Sequence, residues 1–148
     1  MATSLVVRTS RALVAGVVAV GALASVASAQ LETVVALSGA NQRPNPGSPT
    51  GTGTAIVLVD PSDNSVCYEV TVTLTPPATA AHIHRGAADA AGPIVVPFDA
   101  PASGMSTACV EGVDAALIAE MMQNPGAFYV NVHNAEFPVG AIRGQLGQ

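Results

Sequence analysis

The sequence predicts an all-β domain, a Greek-key β-sandwich with one short helix and one disulfide. Three observations predict it: short apolar runs alternating with a period of two, glycine- and proline-rich turns between them, and a single segment with helical spacing. Parallel crossovers need helices that the pattern lacks, so an open α/β sheet is disfavoured.

Residues 1–29 read as a signal peptide ahead of this domain. Arg8 and Arg11 precede an apolar run from Ala12 to Ala24, and Ala27-Ser28-Ala29 supplies the small residues of a cleavage site. The uninterrupted run is short for the ~20 residues of a membrane span. Cleavage after Ala29 leaves residues 30–148, the length of one domain. The new N-terminus is not a cysteine that could take a lipid, and the chain does not end in an apolar tail. The expected product is secreted or periplasmic, with no membrane anchor.

Leu31 to Leu37 is a β-branched apolar run, and Arg43 to Pro49, with three prolines and a glycine, is a loop. Gly53 to Val59 predicts a second strand, ending at the turn Asp60-Pro61-Ser62-Asp63-Asn64. From Val66 to Leu74 the alternation is nearly strict. Val66, Tyr68, Val70, Val72 and Leu74 share the face expected to enter the core, with Cys67, Glu69, Thr71 and Thr73 on the other. Pro76-Pro77 stops this ladder. Further strands are expected at Ala81 to His84, Ile94 to Pro97, Thr107 to Glu111, Phe128 to His133 and Ala141 to Leu146. The helix is expected after Asp114, a cap, with Leu117, Ile118, Met121 and Met122 as its buried stripe and Asn124-Pro125-Gly126 as its end. The methionines read as core contacts rather than metal thioethers.

All ten acidic residues fall after the signal, against Arg43, Arg85 and Arg143 and no lysine, which leaves the mature chain at −7. Three arginines cannot assemble a phosphate-neutralising patch, so nucleic acid is excluded as a partner. Cys67 and Cys109 are expected to form a disulfide in an oxidising compartment, the alternative being two buried thiols.

The histidines carry the chemistry. His82-Ile83-His84 places two imidazoles at i and i+2, which on a strand point to one face with Cα atoms roughly 7 Å apart. His133 ends a later strand, and if the strands are neighbours three nitrogens converge. Three imidazoles on a β-scaffold suit copper or zinc with a position left open. Rings that donate to backbone carbonyls at strand ends explain the same residues without a metal.

No catalytic residue is identified. Ser103, Ser106 and Thr107 lie in a glycine-containing turn without a nucleophile elbow, and Asp89 and Asp99 read as solvated loop charges. Arg143, the one cation of its strand, is expected to pair with Glu136 across the Phe137 to Gly140 turn. Binding of an anionic ligand is its other reading.

Four segments resemble the CHRD domain, named from chordin. They are Ala81-His82-Ile83-His84-Arg85-Gly86, Gly92 to Val96, Asn124 to Asn134 and Phe137 to Leu146, in the family's order, with Cys67 and Cys109 where such domains often carry a pair. The resemblance covers the chain from about residue 31. It implies an extracellular β-sandwich, immunoglobulin-like or superoxide-dismutase-like, with no established catalytic activity. The cysteine-rich modules that accompany these repeats in chordin are lacking, so growth-factor antagonism is not expected.

A more distant likeness is to copper/zinc superoxide dismutases, whose His-x-His strand, Val-His strand and glycine-rich last strand are similar to His82-Ile83-His84, Val132-His133 and Gly140 to Leu146. With three histidines in all, the fourth copper ligand and the zinc loop of that family are absent. Three functional expectations follow. The first is a secreted binding or structural module without catalysis, its partner an extracellular protein or envelope component. The second is a copper- or zinc-binding protein using His82, His84 and His133. The third is a dismutase-like redox enzyme.

Overall fold

Eight strands form where the sequence alternates: β1 Leu31–Ser38, β2 Thr52–Asp60, β3 Ser65–Thr73, β4 Ala78–Arg85, β5 Ile94–Phe98, β6 Met105–Val110, β7 Phe128–Asn134 and β8 Ile142–Gln145. The computed structural model describes residues 29–148, and the signal peptide expected over 1–29 lies outside these but for Ala29. Every pairing is antiparallel, in the order β5-β4-β7-β8-β1-β2-β3-β6.

The hairpins come from local chemistry. Between β2 and β3, Asp60 Oδ1 accepts from the backbone N and hydroxyl of Ser62 at 2.8 and 2.6 Å, and Asn64 takes the left-handed φ of 56° that asparagine tolerates. The inner faces meet in one core: Val57 and Val59 of β2, Val66 and Val70 of β3, Ala81 and Ile83 of β4, Val130 and Val132 of β7 are fully buried. β3 alternates as its sequence demands, with Val66, Tyr68, Val70 and Val72 buried.

Two weak seams give the sheet its sandwich character. β8 meets β1 at the single register pair Ser38↔Arg143, and a Cβ on Gly144 would stand 2.3 Å from the carbonyl oxygen of Ala36, so only glycine permits that approach. At the other seam, the Ser106 hydroxyl donates to the Asp99 carbonyl at 2.9 Å, and Tyr68 stacks on Phe98 with centroids 3.8 Å apart. The sheet thus curls until β5 and β6 lie side by side. Strands 3-6-5-4 then form a Greek key, as expected.

The helix α1, Ala115–Gln123, starts where Asp114 accepts from Ala116 N and Leu117 N, and buries Ile118 and Met121. Among the described residues no helix is long and apolar enough to cross a membrane.

Cys67 and Cys109 face each other in register on β3 and β6 and are bonded, on the outer face. The bond spans a sequence separation of 42. On a chain-entropy basis, closing such a loop stabilises the fold by roughly 4 kcal/mol. Urea unfolding of the Cys67→Ser/Cys109→Ser double variant is expected to show a loss of that order. An unchanged midpoint would mean that β6 is held by its ladder alone.

Candidate metal centre

The strand pleat sorts β4, β7 and β8 into two faces. Ile83, Val130, Val132 and Ile142 point into the core, so His82 and His84, then Tyr129, Asn131 and His133, then Arg143 and Gln145 share the opposite face. Two rows run across the three strands in register: His82↔Asn131↔Arg143 and His84↔Tyr129↔Gln145. An outer face is ordinarily solvated, but here His84, Tyr129, Asn131, Arg143 and Gln145 are buried. Residues 86–93, between β4 and β5, fold back over them.

The pairing of β4 with β7 supplies the convergence that the sequence left open. One ring nitrogen from each of His82, His84 and His133 lies within 4.8 Å of the others. His82 Nδ1 and His133 Nε2 are 3.3 Å apart. Ligand bonds of about 2.0–2.1 Å in a tetrahedral arrangement put nitrogens about 3.3 Å from one another. One pair already has that spacing, and the third imidazole offers a nitrogen within 4.8 Å of both.

Backbone carbonyls fix the ring orientations. His84 Nδ1–H donates to Gly92 O at 2.8 Å, and His133 Nδ1–H to Pro138 O at 3.1 Å. A carbonyl only accepts, so both protons sit on Nδ1; His133 Nε2 then accepts from His82 Nδ1–H at 3.3 Å, and the lone pair of His84 Nε2 is left free. His84 Nε2 is buried and has no hydrogen-bond partner, in a residue 8 % exposed. Asn131, opposite His82, likewise leaves its buried Oδ1 without a donor. Orphaned buried polar atoms are rare and costly unless something binds them.

The electrostatics keep the cluster neutral. Burial lowers the pKa of all three histidines. His82, also repelled by the charged forms of His133 and His84, is brought to about 4. Neutral imidazole is the ligand form. Between about pH 6.5 and about 4 the unfolded chain therefore binds more protons at His82 than the folded one, and stability rises with pH. That contribution is fully present above about pH 6.5 and is lost as the pH falls toward about 4. Urea midpoints of the metal-free domain are expected to drop across this window, and to drop less in His82→Gln. An equal drop in that variant would remove His82 as the cause.

A second tier of residues holds His84. Its ring stacks on Tyr129 at 4.9 Å and 8°, and the Arg143 guanidinium covers that phenol ring, 3.4 Å from its centroid. Arg143 donates to Ala90 O at 2.8 Å and Ala87 O at 2.6 Å. Gln145 Nε2 donates to Gly86 O at 2.6 Å and Gly126 O at 2.8 Å, and the Tyr129 hydroxyl accepts from Gly92 N at 3.1 Å. Segment 86–93 is thereby clamped, with Gly92 O against His84. A Cβ on Gly92 would lie 1.6 Å from the Arg85 carbonyl oxygen, so the return of the loop requires glycine.

The expected Arg143–Glu136 pair does not form. Glu136 is exposed, whereas Arg143 is 1 % exposed on the covered face, and the one ion pair among the described residues joins Arg85 to Glu120. Asp89 and Asp99 are exposed, as expected of loop charges. Ser106 and Thr107 belong to β6 rather than to a turn, and Ser106 serves the seam. The sequence reading missed Tyr129, Asn131, Gln145 and Gly92. For Tyr129, Asn131 and Gln145 the signal was the alternation itself, which repeats polar residues at every second position of β7 and β8; Gly92, in the loop before β5, carried none.

No curated protein and no solved structure matches the chain. Residues 33–146 match the CHRD domain, from the first strand to the last. The four quoted segments, the cysteine pair and the sandwich all fall within that span, and the chain belongs to the CHRD domain family.

Proposed function

We propose that this CHRD protein is an exported, non-catalytic binding module whose ligand is one copper or zinc ion, held by His82, His84 and His133. The observation that carries this reading is the convergence of three neutral imidazoles, two of them with Nδ1 committed to a carbonyl, on a buried Nε2 that has no other partner. Three nitrogens suit either metal, and a carbonyl behind a ligating histidine is the usual second support of such a site.

Export supports the reading from another side. The N-terminal pattern and the Cys67–Cys109 bond fit an oxidising compartment, where cytosolic thiols do not compete for copper or zinc. Redox turnover is not part of the proposal, since the three histidines here are all the histidines of the chain.

Metal analysis of the mature domain, loaded with zinc and dialysed, tests this. One equivalent per chain is expected, falling to none in the His82→Ala/His84→Ala variant. Retention of a full equivalent by that variant would place the metal elsewhere.

A further inference from the structure

Behind the clamp lies a cavity of about 190 Å³, lined by Asn41, Arg43, Ala88, Arg143, Gln145 and Gln148. Two of the three cations of a mature chain carrying −7 meet at this one place. Neither is neutralised, because the one ion pair among the described residues belongs to Arg85. Asp89, on the segment that covers Arg143, acts on it only from beyond ion-pair distance.

The donors are partly spent and firmly held. Arg143 uses three of its N–H groups, on Ala90 O, Ala87 O and Gln145 Oε1, which leaves Nε–H and one Nη1–H. Arg43 is anchored through Nη1 alone, on Ala40 O at 3.0 Å and Gln42 O at 2.8 Å. Its Nε and Nη2 hydrogens have no acceptor. This is the edge with which Arg85 grips Glu120 in the same chain, Nε to Oε1 at 3.1 Å and Nη2 to Oε2 at 2.6 Å. A guanidinium edge of that shape matches the two oxygens of a carboxylate. A buried guanidinium without a counter-charge gains from an anion that enters beside it.

We infer that the cavity between Arg43 and Arg143 is a binding site for a small carboxylate, gripped through the free Nε/Nη2 edge of Arg43 with Arg143 as its fixed positive floor. The site is separate from the histidine cluster. Its occupant is a compact acid rather than a polyanion, since the opening holds two arginines in an otherwise acidic molecule.

Succinate is the probe, titrated calorimetrically into the zinc-free mature domain at neutral pH and low ionic strength, with inorganic phosphate and chloride in parallel. A saturable one-to-one response to succinate is expected. Arg43→Gln is expected to weaken it about tenfold or more, the loss of one charge-assisted pair of hydrogen bonds, while zinc binding stays unchanged. Arg43→Lys, which keeps the charge but not the edge, is expected to recover only part of it. Three results would each overturn the inference: no saturable succinate binding, equal affinity in Arg43→Gln, or tighter binding of phosphate than of succinate.

Discussion

Zinc at a hundredfold excess over its dissociation constant is expected to stabilise the mature domain by about 2.7 kcal/mol, and His84→Ala is expected to lose that increment. A ligand that binds only the folded state must raise its stability, and His84 is the residue whose buried Nε2 is idle without one. The substitution also removes the stack on Tyr129 and the donor to Gly92 O, so the metal-free variant starts from a lower stability. The comparison is therefore between increments, each measured by urea unfolding of the same variant with zinc and with chelator. An undiminished increment in His84→Ala would exclude His84 as a ligand.

Replacing Arg143 is expected to cost the most of any single outer-face change. Arg143→Met keeps much of the volume but strands the carbonyls of Ala87 and Ala90 and uncovers the Tyr129 ring. Three charge-assisted hydrogen bonds, to Ala87 O, Ala90 O and Gln145 Oε1, and a desolvated cation–π contact together are worth about 5 kcal/mol or more. Arg143→Lys keeps the charge but lacks the planar fork, so it is expected to recover less than half of the loss. Zinc affinity should fall about tenfold or more in Arg143→Lys, because the clamp that sets Gly92 O behind His84 is loosened. A folded Arg143→Lys variant with wild-type zinc affinity would show that the guanidinium stabilises the fold without positioning the ligand.

Much of this architecture was legible in the sequence because it is local. The alternation of β3, the cap at Asp114, the proline-rich loop at 43–49 and the turn at Asp60–Asn64 each depend on neighbours in the chain. The cysteine pair was legible from composition and from the export signal that the N-terminal pattern suggests. The meeting of His133 with His82 and His84 was not, because it depends on β4 pairing with a strand some fifty residues away, and period two says nothing about which strands become neighbours.

Arg143 shows the other limit. A cation on the outer face of a strand reads as a surface charge seeking Glu136, and nothing in β8 announces that residues 86–93 will close over it. The covering loop turns an exposed face into a second, polar interior. That interior holds two buried atoms with unfilled bonding capacity, His84 Nε2 and Asn131 Oδ1.

The centre itself is tested most directly by a crystal of the zinc-loaded mature domain, with anomalous scattering recorded at the zinc edge. One peak is expected, about 2.0–2.1 Å from His82 Nδ1, His84 Nε2 and His133 Nε2. A peak away from these three nitrogens, or none in a crystal grown with saturating zinc, would contradict the account.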